Sequence, residues 1–216
     1  DPVIKDRILG EAYFFRGWAY FQLVQLYGGV PLRLKSLSAD PNTNVPRSSV
    51  AEVYAAIVED LTKAETMLLP ASDPKSGEAG RVNRYVAKGI LAKVYLTMGS
   101  GSLSGVSIKV RGGNDNNYYT HAKTVVTDYE GFNSLECFTK ARDKAQEVIT
   151  GNEYSLFTEW KDIWKKENRN KVEHMWELQS LAGTDFTNDL HSYFNARSVF
   201  GIGAVWMSNN HYQDYE

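Results

Sequence analysis

Tyr118 and Tyr119 close a turn-rich stretch, Gly112-Gly113-Asn114-Asp115-Asn116-Asn117-Tyr118-Tyr119. A sugar presents an apolar ring face and a rim of hydroxyls, so a site for it needs a flat aromatic face beside amide, carboxylate or guanidinium groups. The same combination recurs at Tyr193 with Asn195 and Arg197, and at Trp206 with Asn209, Asn210 and Tyr212. The candidate ligand residues are therefore Asn114, Asp115, Asn117, Tyr118, Tyr119, Tyr193, Asn195, Trp206, Asn209 and Tyr212. The plainer reading of each cluster is loop packing, with the ring tucked onto a helix and the amides closing turns, and for any single cluster that reading is the commoner outcome.

Catalysis and metal binding have little to stand on. His121, His174, His191 and His211 are scattered, with no HExxH helix and no CxxC pair. Asn114–Asn117 could offer oxygen ligands to calcium, but the alternating ligand spacing and distal glutamate of a calcium loop are missing, and a simple turn fits better. Paired carboxylates for glycoside hydrolysis exist in any chain with 26 acidic residues, and no spacing singles out a pair. No catalytic residue, cofactor or metal is expected.

Composition narrows the partners. A net charge of -2 disfavours nucleic acid, whose phosphates require a basic surface. With 43% hydrophobic and 23% charged residues, the 216-residue chain is of the ordinary folded kind. The single cysteine, Cys137, rules out an intramolecular disulfide. Five Trp and thirteen Tyr exceed what a core of this size needs, so some should lie on a surface. Asp1 enters a helical pattern at once, without Met or a leader, and the chain reads as a fragment of a longer protein.

These residues must be positioned by helices. The stretch from Ile8 to Leu32 is apolar on almost every face, with Ile4, Ile8, Phe15, Trp18 and Leu26 on one side, and it predicts a central helix covered on several sides. Gly28 or Gly29 should close it in a left-handed conformation, and Pro31 should prevent its resumption. Residues 33–48 form a polar connector. Ser49 and Glu52 make a capping box that opens a second helix, whose stripe is Val50, Val53, Tyr54, Ile57, Leu61, Ala64 and Leu68. A third helix is expected from about Asn83 to Met98, with Val86, Ile90, Val94 and Tyr95 inward and Gly99 as its stop. Residues 99–134 break this pattern and suggest a β-hairpin or a long irregular excursion. A fourth helix should run from about Ser134 to Ile149, with Phe138, Ala141, Ala145, Val148 and Ile149 inward and Gly151 as its cap. Trp18, Trp160 and Trp164 sit in periodic apolar contexts and are expected in the core. Residues 175–178 could be a short strand. Arg7 and Glu11 have the spacing of a helical ion pair, and Glu11 and Arg16 are expected to satisfy protein groups rather than a ligand. Helices two and three, and helix four with what precedes it, have the look of antiparallel pairs.

Four blocks of residues also resemble a known family. Glu11-Ala12, Phe14-Phe15-Arg16, Tyr20-Phe21 and Leu26-Tyr27-Gly28-Gly29-Val30-Pro31-Leu32 are similar to the signature helix of SusD/RagB nutrient-binding proteins. Pro46–Val50 with Val53-Tyr54 and Asp60-Leu61 resemble a second block. Gly80–Asn83 with Leu91–Leu96 resemble a third, and Ala141 through Gln179 a fourth. The resemblance covers roughly residues 5–180. It implies a mainly α fold of tetratricopeptide-like helical pairs, with long irregular loops and a minor β-hairpin. Residues 1–216 would be part of a single such domain, with helical pairs at about 3–99 and 135–165, an excursion at 99–134 and a loop-rich ligand region at 180–216. It further implies an outer-membrane, cell-surface protein, lipid-anchored upstream of this chain, that captures glycan (peptide in some members) for a TonB-dependent, SusC-like transporter. Two other readings stand beside it: a peptide-binding helical-repeat adaptor, and, with the least support, a glycan-processing enzyme.

Overall fold

The computed structural model describes residues 1–112 and 117–177. It is mainly α: helices α1 (Pro2–Tyr27), α2 (Val50–Met67), α3 (Arg84–Ser102) and α4 (Ser134–Thr150), with strands β1 (Ser107–Gly112) and β2 (Asn117–Ala122) between α3 and α4. Residues 1–104 and 124–177 form one compact unit, and the hairpin residues 105–123 belong to a second.

Each helix begins where a side chain takes up free backbone donors. Asp1 caps α1, Asn83 caps α3 through the amides of Tyr85 and Val86, and Asn133 caps α4. At α2 the expected capping box is complete, with Ser49 Oγ accepting from the Glu52 amide at 3.2 Å and Glu52 accepting from the Ser49 amide at 2.8 Å. Ser49→Ala should lower stability by about 1 kcal/mol, read as a shifted urea midpoint at unchanged slope. α1 ends at Gly28, whose φ of 70° needs a residue without Cβ. Arg47 then reaches back, its Nε donating to the carbonyl of Gly29 at 2.6 Å and Nη2 to that of Tyr27 at 2.8 Å, which satisfies free carbonyls at the helix end.

The helices pack in sequence order: α1 against α2, α2 against α3, α3 against α4. α2 and α3 pack together as the sequence suggested, and the more extensive contacts are those of α1 with α2 and of α3 with α4. The whole expected stripe of α2 is buried, and α2 rather than α1 is the central helix. α1 buries Phe14, Phe21 and Val24 but leaves Ile4, Ile8, Phe15 and Leu26 exposed among the described residues, so one of its apolar sides lacks cover. Opposite that side, Gly10 and Gly17 lie against Leu68 and Leu61 of α2: a Cβ on either glycine would come within 3.0 Å of a neighbour. Seven-residue spacing on both helices lines up the two contacts, since seven residues are close to two turns.

Three glycines make room for aromatic rings, and one of them, Gly99, plays another part than the sequence suggested. Gly99 does not stop α3, which runs on to Ser102; it admits the Phe138 ring, which a Cβ would meet at 2.8 Å. Gly101, also inside α3, lies under Tyr129, and a Cβ there would stand 2.2 Å from the nearest ring carbon. Gly151 does cap α4, as expected, its amide donating to the Glu147 carbonyl at 3.2 Å, but in a right-handed conformation (φ −70°); what requires glycine there is the Tyr85 ring, which a Cβ would meet at 2.1 Å. On α4 the inward residues are Cys137 and Ala141, with Phe138 and Val148 half-buried, whereas Ala145 and Ile149 face outward. On α3, Leu91, Ala87 and Met98 join Val86 and Val94 in the core, and Ile90 and Tyr95 are half-buried. Residues 175–177 form no strand.

Ions lock the helices together. Arg16 on α1 clasps Asp60 on α2 with both nitrogens of its fork, Nε at 2.6 Å and Nη2 at 2.7 Å, and Nη1 reaches the Leu34 carbonyl at 2.8 Å. Glu11 pairs with Arg81 of the α2–α3 loop instead of its helical neighbour Arg7. Glu11 and Arg16 thus satisfy protein groups, as expected. Lys144 and Lys88 interleave with Glu65 and Glu147 between α2, α3 and α4, at 2.7–3.9 Å. The hydrogen bond from Lys88, with a further one from Lys144, holds the Glu147 carboxyl below the usual carboxylate range against the opposing effect of burial. A depressed folded value stabilises the protein above the unfolded carboxylate pKa of about 4.3, and that contribution disappears as pH falls through the lower folded value. Glu147→Gln should therefore narrow the stability difference between about pH 6 and about pH 3 in urea titrations.

Candidate functional site

The hairpin expected between α3 and α4 is present, and β1 pairs with β2 antiparallel from Ser107↔Ala122 to Gly112↔Asn117. Tyr118 stands opposite Arg111 and Tyr119 opposite Val110. Successive strand residues point to opposite faces of the ribbon, so the two tyrosines cannot form one platform. Tyr118 shares a face with Thr120 and Lys109, and Tyr119 with His121 and Ile108. Tyr118 is the more exposed, at 68%. Asn117 lies at the start of β2, and Asn114 and Asp115 fall outside the described residues. So do Tyr193, Asn195, Trp206, Asn209 and Tyr212, together with Arg197 and Asn210. Of the sequence candidates, the structure therefore places Tyr118 and Tyr119 on the strand and Asn117 at its end.

A second aromatic surface lies where the sequence pattern points to core. Trp160 and Trp164 bound a short 3₁₀ turn, Trp160–Trp164, and are 74% and 73% exposed. Their rings meet edge to face with centroids 6.1 Å apart, and Leu156 beside them in sequence is exposed too. The turn is pinned by Asp162, which pairs with Lys165 at 2.5 Å and offers its carbonyl to Asn168 Nδ2 at 2.9 Å. The signal was in the residues between and after them: Lys161, Asp162, Lys165, Lys166 and Glu167 leave no apolar stripe for a helix to bury. Trp18 does join the core, edge to face with Trp176 at 5.6 Å.

A cleft of about 370 Å³ opens where the α2–α3 loop faces residues 153–175. Ser76, Glu78, Arg81, Glu153, Tyr154 and Met175 are among its walls. Glu153 accepts from the amide and hydroxyl of Ser72 at 3.0 and 2.6 Å, which ties the two walls together. Tyr154 Oη accepts from Asn83 Nδ2 at 2.7 Å, and burial raises the phenol above its ordinary range, so it remains a neutral donor. At the rim, Asn170 and Val172 both hold φ of 56°, a conformation that a β-branched residue such as valine rarely adopts.

Among the described residues nothing in this geometry resembles a reaction centre, and no group of three His, Cys, Asp or Glu side chains could hold a metal ion. His174 is buried, with its ring edge to face with Phe157 at 5.6 Å and both ring nitrogens without hydrogen bonds. The Cys137 thiol is buried and pushed up by desolvation, the opposite of an activated nucleophile.

Comparison with known proteins shows what this frame resembles. Residues 4–96 match the family model described as SusD-like, starch-binding and associating with the outer membrane. A SusD-like protein of Bacteroides ovatus is 29% identical over 175 residues, which are 81% of this chain and 26% of that protein. A crystal structure of a SusD superfamily protein from Parabacteroides distasonis superposes with a TM-score of 0.59 at 26% identity, over 81% of this chain and 31% of that one. Residues 4–96, from α1 through most of α3, are thus similar to the SusD-like family. A second crystal structure, one with xylogluco-oligosaccharide, superposes with a TM-score of 0.66 at 26% identity, over 89% of this chain and 33% of that chain. The chain thus spans about a quarter of the curated relative's length and about a third of the solved ones. The mainly α fold of stacked helical pairs is the one the sequence resemblance implied.

Proposed function

We propose that this chain is the helical part of a surface protein that captures neutral oligosaccharide and passes it, unchanged, to a TonB-dependent outer-membrane transporter. The observation that carries the reading is the structural likeness, over 89% of the chain, to a protein solved with xylogluco-oligosaccharide. The family description as starch-binding and outer-membrane-associated supports it. The exposed rings of Tyr118, Trp160 and Trp164 add the surface chemistry that sugar stacking uses. On this reading Tyr118 supplies a ring face on the hairpin, with Tyr119, Asn114, Asp115 and Asn117 as its neighbours in sequence. Tyr193, Asn195, Trp206, Asn209 and Tyr212 are the further candidates. A lipid anchor upstream of Asp1 would hold the protein at the cell surface, and the helical stack would face the transporter.

Affinity electrophoresis through gels containing xyloglucan, starch, other neutral polysaccharides or none tests the reading. The protein should be retarded by one neutral polysaccharide, and Tyr118→Ala should weaken that retention about ten-fold, a loss of roughly 1.4 kcal/mol. Equal mobility in every gel would overturn the proposal.

A further inference from the structure

We infer that the cleft between the α2–α3 loop and residues 153–175 is a separate subsite for one neutral, hydroxyl-rich sugar ring. Its choice of ligand rests on the glycan-capture reading above; the site itself rests on geometry and charge. The volume of about 370 Å³ is at the small end of ligand pockets, which run from roughly 300 to 1,000 Å³, and suits a single ring rather than a chain. Among the described residues, the Ser76 hydroxyl makes no hydrogen bond, and the Tyr154 hydroxyl, which accepts from Asn83, still has its proton to give. Glu78 adds acceptor oxygens, and Met175, Ala71 and Ala79 supply apolar surface. Donors, acceptors and an apolar patch in one small space are what a pyranose ring offers in mirror image.

The charge of the walls selects against anions. Among the described residues, Arg81 is the one arginine or lysine on the cleft's walls, with its fork already engaged by Glu11, and Arg7 stands behind Gly77 rather than on the wall. Glu78 and Glu153 stand on the same walls, so an acidic sugar or a phosphate would meet like charge. The strained backbone at Asn170 and Val172 is consistent with a rim whose shape is held by its surroundings, since such conformations persist only where the neighbouring structure fixes them. This cleft lies within the helical unit, whereas Tyr118 belongs to the other one.

The test follows the Met175 methyl group by carbon-13 NMR during titration of the full chain with glucose, galactose, cellobiose and, as the acidic comparison, galacturonate. One or more neutral sugars should move the Met175 signal saturably, with a Kd on the order of millimolar, as expected for a small open site. Ala71→Phe, at an exposed cleft wall, should abolish that shift while leaving the helical circular dichroism and the polysaccharide retention of the protein intact. A Met175 signal unmoved by every neutral sugar, in a protein still retained by polysaccharide, would overturn the subsite and leave glycan capture standing. Loss of both would overturn both. A shift with galacturonate equal to or stronger than that with the neutral sugars would overturn the charge argument and with it the assignment.

Discussion

Replacing Arg16 with methionine should lower stability by about 3 kcal/mol, the lower end of the range for removing one partner of a buried ion pair. The lost partner leaves Asp60, whose side chain is 3% exposed, without its hydrogen-bonded cation inside the α1–α2 interface. Arg16 itself is 32% exposed, so water that enters in its place softens the loss. The two-pronged geometry, 2.6 and 2.7 Å, is the strong form of this contact, and the Asp60 hydrogen bond raises the arginine further above its ordinary pKa, against the opposing effect of burial. Urea unfolding near neutral pH reads the effect as a lowered midpoint. Combining Arg16→Met with Asp60→Leu should recover most of the loss, because the uncompensated charge is then gone. A single-variant loss below about 0.5 kcal/mol, the usual scale of surface changes, would mean that Asp60 is satisfied in another way.

The second large effect comes from the opposite kind of contact. Leu61→Ala should destabilise by roughly 2–5 kcal/mol, the range for emptying a leucine site in a packed core. Leu61 has no exposed surface and fills the hollow that Gly17 leaves on α1, with a would-be Gly17 Cβ only 3.0 Å from Leu61 Cγ. The converse change, Gly17→Val, should also destabilise, by about 1–3 kcal/mol or more, because the added methyls push against Leu61 and against Cβ of Asp60, the residue that holds Arg16. Leu96→Ala, at a position 53% exposed, should change stability by no more than about 0.5 kcal/mol and serves as the control. Equal losses at Leu61 and Leu96 would contradict the packing described for α1 and α2.

Local signals in the sequence were reliable where a single chemical rule governs them. Ser49 and Glu52 marked the start of α2, and the three- and four-residue spacing from Val50 to Leu68 named its buried face residue by residue. Alternation and the glycines around 112 pointed to the hairpin. What failed depended on partners distant in the chain. Gly99 looks like a helix stop, but its lack of Cβ serves the Phe138 ring instead; Gly151 does cap α4, yet its lack of Cβ also serves Tyr85, and ring contacts leave no trace in local spacing. Glu11 could not announce that its cation is Arg81, seventy residues on, rather than Arg7 one turn away. Trp160 and Trp164 looked like core because they sit in a periodic apolar context, while the charges between them said otherwise. Tyr118 and Tyr119 looked like a pair because they are adjacent, and strand geometry separates them. The family resemblance, carried by four ordered blocks, conveyed the fold more securely than any one helix pattern did.

Capture without conversion is the central claim, and one calorimetric titration followed by recovery of the sugar tests it most directly. The protein would be titrated with xyloglucan-derived and starch-derived oligosaccharides, and the sugar then analysed for chain length and new reducing ends. Saturable heat with one of them, and oligosaccharide recovered at its original length, is the result the account predicts. No heat with any neutral oligosaccharide, or shortened products after incubation, would contradict it.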